Sequence, residues 1–137
     1  METLTYKTTE IRATSALTGS YVAGNILGNS IIGDNTKELY IENQLLLYIN
    51  IANLGNMTSV QAKVEFSDDQ TNWYQETFEQ ITGGTAADTL GEHAFSSTGG
   101  YRLAIPLKDR YVKVSFKGTG GSGTGSLVSC IAVHGTA

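Results

Sequence analysis

Cysteine and proline each occur once in the 137 residues. A lone Cys130 excludes an intrachain disulfide and any zinc site built from several cysteines of one chain. Flanked at period two by Val128 and Ala132, it reads as a small buried hydrophobe. The lone Pro106 fits a sheet edge or a strand end, because proline cannot donate to a ladder. Charge is sparse as well. Asp, Glu, Lys and Arg make up 16% of the chain, too little for a disordered, self-repelling polymer. The nine Lys and Arg are scattered and the formal net charge is −4. That excludes the basic run by which a sequence announces nucleic-acid binding.

Long apolar runs are missing too. No window approaches the roughly 18 apolar residues of a membrane helix. "METLTYKTTEIRATSALTGS" lacks the apolar centre of a signal peptide. The expectation is synthesis in a cytoplasm, with no membrane partner. Asn56-Met57-Thr58 matches the glycosylation pattern, but without a secretory signal the match carries no weight. Helical periodicity is absent: apolar residues nowhere recur at i, i+3, i+4, i+7 between caps. Thr85 to Leu90 offers one helical turn at most.

What is present is alternation and glycine. Leu45 to Ile51 sets Leu45, Leu47, Ile49 and Ile51 on one face and apolar Leu46 and Tyr48 on the other. The expectation is a central strand covered on both sides. Thr58 to Phe66 alternates cleanly, with Val60, Ala62, Val64 and Phe66 inward and Gln61, Lys63 and Glu65 outward. Arg110 to Lys117 repeats the pattern with Val112, Val114 and Phe116. Lys37 to Glu42, Trp73 to Gln80, Gly91 to Ser97, Tyr101 to Leu107 and Ser126 to His134 read as further strands. "TGGTAAD", Thr82 to Asp88, reads as a break. The 16 glycines supply the turns.

About eight to ten short strands with Gly-rich loops make an all-β fold, an antiparallel β-sandwich. Ig-like and jelly-roll-like topologies both remain open. Residues 1–137 read as one domain. Within it, Leu4 to Thr8 and Ile11 to Ala16 can be strands, and residues 1–35 can be a partly extended N-terminal arm.

Each candidate chemistry meets an obstacle. "GTGGSG", Gly118 to Gly123, matches the dinucleotide pattern, yet a strand follows it where a helix must hold the pyrophosphate. It reads as a flexible hairpin loop. His93 and His134 lack metal spacing, and no serine sits in a nucleophile elbow. Asp68, Asp69, Glu76, Glu79, Asp88 and Glu92 fall on loops or polar strand parities, as solvated turn acids do. Asp68, Asp69 and Asn72 offer hard oxygens for calcium, without the EF-hand spacing. No catalytic, cofactor or metal site is therefore expected, and no enzyme activity.

One stretch stands apart. In "VQAKVEFSDDQTNWYQET" an alternating strand ends at Phe66, turn formers follow, and the only tryptophan opens the return. Ser67, Asp69 and Asn72 have short side chains that bond to nearby backbone and set a turn. Trp73 is expected to cover one edge of the sandwich. The stretch therefore reads as a structural turn motif of Ser67, Asp69, Asn72 and Trp73.

A strand, then S-x-D-G-x-x-W, then another strand resembles β-sandwich proteins of tailed-bacteriophage virions. Ser67, Asp69 and Trp73 match, and Gln70 stands where that family has glycine. The similarity continues through "YRLAIPLKDRYVKVSFKGTGGSGTGSLVSCIAVHG", so it runs from Leu45 to Gly135, about two thirds of the chain. It implies a head decoration (cement) protein: non-enzymatic, without cofactor, on the capsid surface of the virion. The implied partners are the major capsid protein and further copies of the chain, as a homotrimer. Discoidin-like jelly rolls share S-x-D-G-x-x-W and a later R-Y strand, and imply instead a carbohydrate- or receptor-binding module.

Overall fold

The computed structural model describes residues 5–28, 44–106 and 110–136. They form β1 (Thr5–Ser15), β2 (Val22–Ala23), β3 (Gln44–Asn53), β4 (Ser59–Ser67), β5 (Tyr74–Gln75) and β6 (Thr77–Thr82). There follow β7 (Thr85–Leu90), β8 (Glu92–Phe95), β9 (Gly99–Pro106), β10 (Tyr111–Thr119) and β11 (Leu127–Thr136).

The strands make two antiparallel sheets packed face to face. One has the order β1-β11-β3-β9. The other has the order β2-β10-β4-β5, with β8 also on β4. β5 pairs with Glu65 and Phe66, whereas β8 pairs with Val60 to Lys63, so the two share one edge of β4 end to end. Between them the chain leaves the sheet as the β6–β7 hairpin.

The core follows from period two. Leu45, Leu47, Ile49 and Ile51 of β3, together with Val128, Cys130 and Ala132 of β11, are at most 1% exposed. They face Val60, Ala62 and Val64 of β4 and Val112, Val114 and Phe116 of β10, all 0% exposed. Register matches large with small: Phe116 lies opposite Ala62, and Phe66 opposite Val112. Pairing a large side chain with a smaller one is how close-packed interiors are filled.

Local outcomes differ from the sequence reading at several points. The break expected over Thr82 to Asp88 is confined to Gly83 and Gly84, and Thr85 to Leu90 is a strand, not a helical turn. Gly83 and Gly84 take φ of 59° and 82°, the two-residue left-handed turn that matches strand twist and closes a hairpin. The expected strand from Trp73 to Gln80 is divided at Glu76. There the Glu76 amide donates to Val64 O at 2.8 Å, and Glu76 O accepts from the Gly91 amide at 2.7 Å. Pro106 is the last residue of an edge strand, where its missing donor costs nothing.

From residue 5 to residue 28 the chain is built into the sandwich. β1 runs along β11, with Arg12 Nε donating to Val128 O at 3.2 Å beside a register shift. Leu17 and Leu27 are buried at 3% and 0%. Residues 29–35 of the expected arm, and the expected strand from Lys37 to Glu42, lie outside the described residues.

Candidate functional site

The turn motif is a closed set of hydrogen bonds. Ser67, the last residue of β4, is fully buried. Its Oγ accepts from the amides of Asp69 (3.2 Å) and Gln70 (2.9 Å) and donates to Asp69 Oδ1 at 3.0 Å. Asp69 Oδ1 also accepts from the amides of Thr71 and Asn72, and Oδ2 accepts from Asn72 Nδ2. The amides of Asn72 and Thr71, then the side chains of Asn72 and Ser67, hold the Asp69 carboxyl well below the usual carboxylate range. Both its oxygens are thus taken by local donors, and calcium would have to displace them.

Gln70 has φ of 60°, the only positive φ outside glycine among the described residues. It is the position where the resembled family has glycine. Here the chain holds the left-handed conformation with a side chain attached. Trp73 is half-buried, and Lys113 Nζ sits 4.2 Å from its ring centroid. The polar atoms of Ser67, Asp69 and Asn72 bond to one another and to nearby backbone.

The remaining candidates are likewise occupied or dispersed. His93 Nε2 meets Glu76 Oε1 at 2.9 Å and ties β8 to the base of the β6–β7 hairpin. The side chains of Glu79, Asp88 and His134 lie outside the described residues. Among the described residues no three His, Cys, Asp or Glu side chains gather as metal ligands. Cys130 is buried, and desolvation pushes its thiol up to about 12.

"GTGGSG" is no flexible loop. The Gly118 amide donates to Thr18 O, and the Gly123 amide to Asn56 Oδ1. A Cβ on Gly118 would stand 1.7 Å from Met57 Sδ, and one on Gly121 2.2 Å from Asn56 O. These glycines permit close backbone packing, a use of glycine that composition alone cannot tell from flexibility.

The feature that sequence reasoning missed lies on the outer face of the β1-β11-β3-β9 sheet. β3 is central there, yet among the described residues no element covers its second face: Tyr48 is 39% exposed. Cross-strand register places Glu10, Ile131, Tyr48 and Arg102 in one row over the four strands. The adjacent row is Thr8, Val133, Leu46 and Ala104. Ile131 is 40% exposed. Beside the first row is a hollow of about 390 Å³ lined by Tyr48, Asn50, Gly100, Tyr101, Arg102 and Ser129. The apolar character of Leu46 and Tyr48 was the available signal. Sequence could not tell whether another element covers it.

The outer face of the second sheet is different. There Lys63 and Lys113 approach Glu65 at 3.7 and 4.0 Å, and Lys63 and Lys117 flank the Tyr21 ring at 4.6 and 4.7 Å. Charges and rings of that face are engaged with one another.

No family model matches the chain, and no curated protein matches it. Among solved structures, one similar chain comes from work on Bacillus endospore appendages, described as a novel family of disulfide-linked pili. It is 13% identical, over 98% of this chain and 88% of that one, with a TM-score of 0.42.

Proposed function

We propose that this chain is a non-enzymatic structural protein of a bacteriophage virion, one that binds and stabilises the outside of the capsid. The observation that carries the reading is the uncovered apolar face centred on Tyr48 and Ile131. An apolar sheet face bordered by charge suits docking against protein, since interface cores are apolar and their rims polar. The Ser67–Trp73 corner, with its polar atoms satisfied internally, supplies scaffold rather than chemistry. The virion assignment itself comes from the resemblance of that corner and of Tyr101 to Gly135. Mixing the purified protein with expanded phage heads and with free capsid subunits tests it. Retention on heads and not on subunits is expected; no retention on any expanded head sinks the proposal.

A second reading is carbohydrate binding, favoured by the hollow between Tyr48, Tyr101 and Arg102. The Tyr48 ring offers an apolar face, and Asn50 and Arg102 offer donors for hydroxyl groups. A ligand of the native state raises the melting temperature by mass action. A glycan panel that shifts melting, together with no binding to heads, favours this reading over the first.

A further inference from the structure

We infer that the outer face of the β1-β11-β3-β9 sheet pairs with the same face of a second copy about a two-fold axis parallel to the strands. The inference rests on the reading of that face as an assembly surface and names its occupant away from the capsid: a second copy covers the face in the free protein, and capsid protein takes its place on a head. The argument is register. Glu10, Ile131, Tyr48 and Arg102 occupy one row, with Glu10 on one edge strand and Arg102 on the other. Both charged residues are exposed.

Consider a two-fold axis midway between β11 and β3, lying in the plane between two stacked sheets. It keeps position along the strands and inverts position across them. Glu10 of one copy then lies over Arg102 of the other, and Arg102 over Glu10. Ile131 lies over Tyr48 in both directions, Val133 over Leu46, and Ser129 over Asn50. Apolar therefore meets apolar, polar meets polar, and each charge meets its opposite at the rim. This is the self-complementarity that an isologous contact requires. A threefold contact joins two different patches and gains nothing from it. Stacked sheets lie about 10 Å apart, with strand directions within about 30°, which suits side chains of Tyr, Leu and Ile size.

The area bounds the contact from above. Four strands about 4.8 Å apart and six residues at about 3.4 Å each give a flat footprint of roughly 20 by 20 Å per copy. Doubled, that is roughly 800 Å², below the usual size of stable complexes. The pair should therefore be reversible: mainly dimer at about 100 µM and mainly monomer at about 1 µM.

Sedimentation at those two concentrations, in low salt, tests it with charge reversals. Glu10→Arg and Arg102→Glu should each weaken the dimer about tenfold, because each places like charges together twice per pair. The double variant should restore it. Glu10→Lys and Arg102→Asp serve if a reversal fails to fold, with melting curves as the check. A monomer at about 100 µM, a trimer, or a dimer indifferent to both reversals overturns the inference. Retention on expanded heads is measured separately. A charge-dependent dimer that no head retains leaves the pairing standing and removes the proposed function; a monomer that heads retain does the reverse.

Discussion

Ser67 and Asp69 fold a corner between them. The buried Ser67 Oγ donates to the exposed Asp69 Oδ1 at 3.0 Å while accepting the Asp69 and Gln70 amides. Each side chain thus satisfies backbone donors that the end of β4 leaves unpaired. Ser67→Ala removes the acceptor of two amides and should cost about 1–2 kcal/mol. Urea unfolding measures it, and a midpoint unchanged from wild type would contradict the assignment. Trp73→Ala should also lower stability before it affects any binding.

The corner is acid-sensitive with a defined sign. The Asp69 carboxyl is held below its ordinary value by the Asn72 and Thr71 amides and by the side chains of Asn72 and Ser67. Its contribution is complete above the unfolded carboxyl value, about 4, and is lost as pH falls through the lower folded value. Asp69→Asn should therefore melt below wild type at neutral pH, and the gap should close as pH drops under about 4. A gap constant down to strong acid would show that the carboxylate charge does not matter.

Gln70 carries a conformational cost. At φ of 60° a residue with a Cβ is disfavoured by about 1–2 kcal/mol, partly offset for glycine by its larger unfolded entropy. Gln70→Gly should gain about 0.5–1 kcal/mol, read as a rise of about 3 °C in melting temperature. Destabilisation would mean that the Gln70 side chain makes a contact worth more than the strain.

Two glycines with similar backbones should respond differently. Gly123 has φ of 87°, and a Cβ there would stand 1.9 Å from Leu17 O. Gly83 has φ of 59° with nothing within 4 Å. Gly83→Ala should cost about 1 kcal/mol, from conformation alone. Gly123→Ala should cost about 3 kcal/mol or more, since backbone must move as well. Equal costs would return "GTGGSG" to the status of a flexible loop.

Cys130 should be silent toward alkylating reagents in the native state. Its thiol is buried and raised to about 12, and the thiolate is the reactive form. Labelling at pH 8 should follow unfolding by urea. A raised thiol also means that its contribution to stability persists below the ordinary value of 9 and fades as pH climbs toward about 12. Fast native labelling would place the thiol on an accessible surface.

What the sequence determined by itself is local. Alternation at Val60 to Phe66 and Val112 to Phe116 settled which residues face the core, because a strand has only two faces. Ser67, Asp69 and Asn72 announced the corner, because their bonds close within three residues. The left-handed conformation of Gln70 was not legible, since glutamine carries no signal for it. Tertiary structure decided what depends on distant chain. It placed β5 and β8 on one edge of β4 and so pushed β6 and β7 out as a hairpin. It turned the glycines of Gly118 to Gly123 into packing contacts against Thr18, Asn56 and Met57. It also left the second face of β3 open. Leu46 and Tyr48 are apolar whether or not an element covers them, and coverage is a property of what packs there, which no local pattern encodes.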